Sequence, residues 1–492
     1  MKIALITEGT YPYVHGGVSV WCDRLIRKLP DVEFALYAIA PAADRAPVWE
    51  MPPNVSSLEA IDLESTIGRS FDRYPMQDQQ RFLEAFDAFL VATLRGPTGN
   101  EGEFLVALRV LFEATRHLPI GVGVRSSEAF ELVRSRWTER RVGDRLDEMG
   151  VPSLFDVLEV TSSLGRFLKA FQVVPNGDIA HTTANGLSSL TALAAKWTHG
   201  TPCLLTEHGI YLRERYLEAQ KSGLGDRVKA FQLLFFRRLN DAMLQMADVI
   251  SPVSNYNRRW ELETGANSDL IQTIHNGVEP ALFPPLDTEP DVPTISWIGR
   301  VDPLKDVVTL IESFARVRRV IPNARLRLFG PVPGGNEGYH AECLRAIASN
   351  GLGDSVTFEG LISRVSLAHE AGHIVVLSSI SEGFPFTVLE AMMSGRATVS
   401  TDVGGVAEAV ADAGLLVPPR DPDAMATALI RLLKDDGLRR ELGAAARKRA
   451  LSLFTLDQMA GRYREVYEAL AARPAPLEKI PLELLNAAGG SS

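Results

Sequence analysis

The stretch SSISEGFPFTVLEAMMSGRATVSTDVGGVAEA, Ser378 to Ala409, decides how the whole chain is read. It follows His373-Ile374-Val375-Val376-Leu377, an apolar run short and β-branched enough to predict a buried strand. A turn carrying Glu382 and Gly383 comes next. Pro385 stands where a helix can start, because the first helical position needs no N–H. Phe386 to Met393 reads as a short helix stopped at Ser394-Gly395. A second strand, Ala397 to Ser400, leads into a turn with Gly404-Gly405.

Strand, glycine turn, helix, strand is an arrangement that binds nucleotides. The open N–H groups of the helix start face the loop and suit a diphosphate. Glu382 lies just before the helix and Glu390 about two turns on, roughly 12 Å away at 1.5 Å per residue if the interval is helical. One carboxylate can therefore sit near a ligand's phosphates and the other near its ribose, whose vicinal hydroxyls a carboxylate accepts well. Taken alone, each glutamate reads equally well as a surface or capping carboxylate near a helix N-terminus.

Glu382-x7-Glu390 with Gly383-Phe384-Pro385 between, and Gly404-Gly405-Val406-Ala407-Glu408 downstream, resembles the retaining nucleotide-sugar glycosyltransferases of family four. The resemblance implies an α/β fold of the GT-B type, two Rossmann-like domains facing across a cleft. It also implies that Glu382 sits by the donor sugar, that Glu390 holds the ribose hydroxyls, and that Gly383, Phe384, Pro385 and Phe386 belong to the donor site.

Other segments extend that reading. Lys2 to Thr7 is a first strand, apolar inside and so buried on both faces. Its loop ends in Gly16-Gly17 before a helix predicted from about Ser19 to Leu29. Glycines there let backbone approach a phosphate, although most glycine pairs only mark turns. By resemblance, Gly16 and Gly17 meet the donor diphosphate and the transferred sugar. The G-x-G-x-x-G spacing of a dinucleotide site is absent, which counts against nicotinamide or flavin chemistry.

Val32 to Ile39 reads as a second strand. About 41–175 then reads as a mainly helical insertion, with helices at 81–94, 103–117, 127–136 and 153–171, whose plain role is structural cover and whose sharper one is partner contact. Asp178 to His181 resumes the strand pattern, and Pro202 to Thr206 precedes Glu207-His208. A histidine at a parallel strand's C-terminal end stands where open α/β sheets bind ligands. The resemblance aims His208 at a donor-sugar hydroxyl, while His181 reads as structural. Arg213, Arg215, Arg237 and Arg238 read as a solvated basic face. Ala247 to Val253 and Ile271 to Ile274 read as the last strands of this half, before His275-Asn276-Gly277-Val278.

Prolines at 280, 284, 285, 290 and 293 mark a linker near 280–293. The second half opens on Thr294-Ile-Ser-Trp-Ile-Gly299-Arg300 and continues through Lys305 to a helix near Asp306. Arg300 and Lys305, between strand and helix, suit a diphosphate, Arg by its fork and Lys as a point charge. The domains are therefore read as 1–280 with the helical insertion, 294–455 for the nucleotide-sugar, 456–473 as a crossover helix and 474–492 as a frayed tail.

Composition bounds the function. The 492 residues carry a net charge of −10, which argues against a nucleic-acid partner held on a basic surface. Cys22, Cys203 and Cys343 are far apart, without metal-ligand spacing, as in a reducing compartment. No apolar stretch reaches about 18 residues. The N-terminus lacks a signal-peptide pattern, so a cytoplasmic location is expected.

With its insertion, the chain resembles the cytoplasmic glycosyltransferases of exopolysaccharide synthesis. That implies a UDP-sugar donor, a saccharide acceptor, a membrane-bound synthase partner, no further cofactor and no metal. Two other classes remain open: a non-catalytic nucleotide-sugar-binding component of a synthase, and a phosphorylase or epimerase.

Overall fold

The computed structural model describes residues 1–40, 46–64, 70–95, 101–140 and 145–473; the tail expected at 474–492 lies outside them. Tertiary contacts divide the chain into two units. The first comprises Met1–Pro252, Arg259–Gln272 and the chain from Arg464 onward; the second comprises Val253–Arg258 and Thr273–Tyr463. Residues 253–258 and 273–280, read from sequence with the first half, thus pack into the second, and the last helix, Leu456–Ala471, is divided between the two.

In the first unit six strands form one sheet: β1 (Lys2–Glu8), β2 (Glu33–Ala40), β3 (Val55–Asp62), β4 (Ile179–Thr182), β5 (Cys203–Glu207) and β6 (Val249–Pro252). Their spatial order is β3-β2-β1-β4-β5-β6, with every pairing parallel. Ile3 to Ile6 are fully buried, as a strand covered on both faces requires. The second unit repeats the plan with β7 (Thr294–Ile298), β8 (Arg325–Phe329), β9 (Val356–Gly360), β10 (Ile374–Leu377), β11 (Ala397–Thr401) and β12 (Leu415–Val417). The order β12-β11-β10-β7-β8-β9 is again wholly parallel. Each sheet reverses its strand order once, between β1 and β4 and between β7 and β10. Ligands bind outside the strand C-termini at such a switch point.

Two expectations need correction. Val55–Asp62, inside the stretch read as helical insertion, is the edge strand β3. Its exposed serines and glutamate hide the apolar signal, because an edge strand buries little. Ile271–Ile274 is no strand; one isolated bridge joins Ile271 to Ile250. The helix after Glu382 is Phe386–Met393, the range expected, with Pro385 at its N-cap.

The insertion does form helices, Met76–Leu94, Glu101–Thr115, Ser127–Glu139 and Leu154–Phe167. Buried Phe82, Phe86, Phe89 and Phe112 join sheet residues such as Ala4, Ile6 and Tyr37 in one core. The insertion therefore packs as an integral layer of the first unit. Among the described residues, no helix is long and apolar enough to cross a membrane.

Candidate active site

In the second unit, the two motifs read separately in sequence meet at one switch point. β7 ends at Ile298, and Gly299-Arg300 follows; β10 ends at Leu377, and the loop to Pro385 follows. The Lys305 ammonium donates to Glu382 Oε1 at 2.6 Å, across 77 positions of chain. Ser378 Oγ donates to the Lys305 carbonyl at 2.7 Å, and Ile380 N to the Leu304 carbonyl at 2.9 Å, so the two loops are laced together. Arg300 is exposed beside them and has no ion pair among the described residues. Glu382 is nearly enclosed, with 10 % of its side chain exposed, which keeps water from screening its pair with Lys305.

Glycine geometry fixes this loop crossing. Gly404 has φ +57°, and a Cβ on it would come within 1.7 Å of the Glu382 carbonyl oxygen. A Cβ on Gly405 would lie 2.5 Å from the Gly383 carbonyl oxygen, which instead accepts from Gly405 N at 2.9 Å. The pair thus holds the backbone of Glu382-Gly383 where side chains would exclude it. Phe384 is buried, and its ring centroid lies 4.8 Å from His275 and 5.3 Å from Phe454. Its carbonyl accepts from Asn276 Nδ2 at 2.7 Å. His275-Asn276 therefore supports the Gly383-Phe384-Pro385 turn from within the same unit.

Glu390, on the helix Phe386–Met393, is 6 % exposed. Glu408 is a structural bridge: Oε1 lies 2.6 Å from His275 Nε2 and accepts from Asn255 Nδ2, while Oε2 accepts from Asn255 N. Burial would raise its carboxyl, but these hydrogen bonds hold it below the usual range.

In the first unit, Gly16 precedes the helix Gly17–Lys28 with extended backbone, φ −176°. A Cβ on Gly16 or Gly17 would meet nothing within 4 Å, so neither packing nor backbone demands glycine there. His208 follows β5, its ring 4.7 Å from Trp21 of that helix in an edge-on contact. Its Nε2 is buried and makes no hydrogen bond in the structure. Burial lowers its pKa to about 3, so the ring is neutral near neutral pH and can accept at one nitrogen and donate at the other.

His181 differs. Nδ1 is 2.8 Å from the Tyr467 hydroxyl and Nε2 is 2.8 Å from Thr206 Oγ1, the saturated pattern of a structural histidine. Arg238 departs from the solvated basic face expected of it: it is buried and donates to the Arg95 carbonyl.

Sequence reasoning passed over Glu8. It ends β1 at the switch point, where Tyr211 Oη donates to Oε1 at 2.6 Å and Ser188 N to Oε2 at 3.1 Å. Burial raises its carboxyl, while the bonds from Tyr211 and Ser188 work the other way. Gly186 exists to admit this cluster, since its Cβ would lie 2.2 Å from the Tyr211 ring. A glutamate closing the first strand was the available signal.

The buried histidines give an acid-stability prediction. His181, His208 and His369 all have pKa values lowered to about 3, in each case first by burial. The unfolded chain takes up protons near pH 6.5 and the folded chain does not, so stability is full above that pH and falls below it. By pH 5.5 each should cost about 1.4 kcal/mol. Urea unfolding midpoints at pH 7.5, 6.5 and 5.5 should decline progressively, and His369→Gln should lessen the decline in the second unit.

Residues 1–269, more than half the chain, match the family described as Domain of unknown function (DUF3492), and residues 292–435 match Glycosyl transferases group 1. Among curated relatives, D-inositol 3-phosphate glycosyltransferase of Nocardioides sp. is 31% identical over 230 residues, 42% of this chain and 50% of that protein. Trehalose synthase of Pyrococcus horikoshii is 31% identical over 193 residues, 37% of this chain and 46% of that one. The chain spans about half the length of the curated relatives it matches.

Solved structures match more widely. Sucrose-phosphate synthase from Thermosynechococcus elongatus aligns with TM-score 0.62 at 21% identity, over 96% of this chain and 99% of that one. Anabaena HepE, in complex with UDP and glucose, aligns with TM-score 0.61 at 14% identity, over 94% and 99%. At these identities the likeness carries the fold, two Rossmann-like domains of the GT-B type. The chain belongs to the DUF3492 family, with a Glycosyl transferases group 1 domain in its second unit.

Proposed function

We propose that this protein is a retaining glycosyltransferase that moves a hexosyl unit from a UDP-sugar, UDP-glucose foremost, to a growing exopolysaccharide or another saccharide hydroxyl. The observation that carries the reading is the Lys305–Glu382 pair at 2.6 Å, held at the switch point of the second sheet just ahead of a helix N-terminus. A cation, a carboxylate and open amides at one strand edge are what a sugar diphosphate requires. The name of the Nocardioides relative and the UDP held by HepE support the same class.

In this reading Arg300 and Lys305 hold the diphosphate, and Glu390 takes the ribose hydroxyls. Gly383, Phe384, Pro385 and Phe386 frame the donor. Gly16 and Gly17, whose Cβ space is empty, admit phosphate or sugar to the backbone. His208, neutral and with Nε2 unengaged, takes a sugar hydroxyl. When the C1–O bond breaks, negative charge gathers on the leaving phosphate, and Arg300, Lys305 and the helix amides stabilise it. That phosphate then takes the acceptor's proton on the same face, so the reaction needs neither a metal nor an enzyme nucleophile.

The finer reading is an enzyme like PelF of Pel exopolysaccharide synthesis, acting in the cytoplasm beside an inner-membrane synthase. Its support is the pairing of a packed helical insertion with this donor motif.

Calorimetry tests the phosphate clamp. Arg300→Ala and Lys305→Ala should each weaken UDP binding about 10-fold or more, as expected for a lost charge-assisted hydrogen bond. Unchanged affinity in both variants would remove the clamp from the mechanism. A thermal-shift panel of UDP-, GDP- and ADP-sugars should single out the donor by the largest rise in melting temperature.

A further inference from the structure

The second unit holds a cavity of about 600 Å³ far from the donor loops. Its floor is the segment Ser394–Ala397 where β11 begins, with His373 just before β10. Glu382 and Lys305 stand at the opposite, C-terminal ends of the strands. Four strand residues at about 3.3 Å each put roughly 13 Å of sheet between the two places.

The lining is strongly basic in a chain whose net charge is −10. It carries Arg396, Arg439, Arg440, Arg447 and Lys448 against Asp287 and Glu289. Arg439 satisfies Glu289 with two bonds of 2.7 and 2.6 Å and also pairs with Asp436 at 2.7 Å. Counting Asp436, five cations face three carboxylates.

The other cations have no direct ion pair among the described residues. Arg396 is 4 % exposed, yet its guanidinium donates only to carbonyls, those of His369 at 3.1 Å and Thr288 at 2.6 Å. Arg447 likewise donates to the carbonyls of Phe283 and Met393. Carbonyls supply hydrogen bonds but no countercharge; Glu289 and Glu370 act on Arg396 only through space, and burial still lowers its pKa. Arg440 and Lys448 are exposed, and no ion pair joins them to another described residue. They stand eight positions apart on the helix Asp436–Leu453, so with Arg447 they line one face of it.

We propose that this cavity is a second ligand site, built to take a small phosphate-bearing anion of two or more negative charges. Guanidinium forks match phosphate oxygens in pairs, and the volume suits a ligand of nucleotide size or smaller. The phosphate belongs either to a free compound or to a lipid headgroup, and the two are told apart below. The site goes beyond the proposed transferase reading and stands without it.

The probes are inorganic pyrophosphate, followed by calorimetry at low salt, and vesicles of phosphatidylglycerol in phosphatidylcholine, followed by sedimentation. The double variant Arg440→Glu/Lys448→Glu alters two exposed side chains and should fold. Lys305→Ala serves as the donor-site control. Calorimetry should resolve pyrophosphate binding at this cavity beside that at the donor clamp: Lys305→Ala should weaken only the donor-clamp binding, while the double variant should weaken the cavity binding at least 10-fold and keep its UDP affinity. Vesicle binding that the double variant abolishes, with no pyrophosphate binding, assigns the site to a lipid headgroup. The proposal is overturned if neither probe binds, if the double variant binds both as before, or if pyrophosphate binding is lost only in Lys305→Ala. A failed transferase reading shows up separately, as UDP affinity indifferent to Arg300→Ala and Lys305→Ala.

Discussion

Glu382→Ala is expected to cut sugar transfer by about 10²–10³-fold, the usual cost of removing a preorganised polar group from a reacting centre. UDP affinity should not fall with it. The carboxylate holds Lys305 in a 2.6 Å pair in the structure, and its loss frees that ammonium for the diphosphate. Turnover and UDP binding should therefore separate: rate lost, affinity kept or raised, with an unchanged circular dichroism spectrum. Turnover within threefold of the parent would end any role for Glu382 in the reaction. The same assay separates an enzyme from a pure binder. If the parent protein binds UDP yet neither transfers sugar nor slowly releases UDP from the donor, it is a non-catalytic member of a synthase.

The second large effect is expected from Gly404→Ala, which removes no functional group. The new Cβ would sit 1.7 Å from the Glu382 carbonyl oxygen, and the backbone already lies at φ +57°, where alanine is strained. Left-handed strain and forced overpacking together should cost about 2–5 kcal/mol. Relief requires the Glu382-Gly383 backbone of the crossing to move, so transfer should fall along with the melting temperature. Gly461→Ala is the control, because nothing lies within 4 Å of its Cβ position. If Gly404→Ala melts and turns over like Gly461→Ala, the loop crossing does not position Glu382.

Much of the fold was legible because its signals are local. β10 is a continuous apolar run, as a strand buried on both faces tends to be, β11 is short and rich in β-branched residues, and Gly395 closes the helix between them. β3 and β12 escaped notice because edge strands bury one side at most: Val55–Asp62 keeps three exposed residues, and Leu415–Val417 is three residues long. At the candidate site, Arg300, Lys305 and Glu382 were offered by their places after strand ends, and Glu390 by its spacing from Glu382. Glu8 was not, since an isolated glutamate after an apolar strand looks like any strand terminus until Tyr211 and Ser188 are found upon it. The basic cavity left even less trace, its arginines being scattered along helix and loop as ordinary surface charge.

The sequence by itself determined the alternation of strand and helix, the glycine positions that admit close backbone approach, and the kinds of side chain offered at strand ends. All of these depend on neighbours within a few residues. Only the tertiary structure decided which strand ends lie side by side. It set β7 next to β10, carried Lys305 to Glu382 across 77 positions, and gathered several guanidinium groups at the opposite end of the same strands. Strand order follows from how whole layers bury their apolar faces, a property of the assembled sheet that no single segment contains.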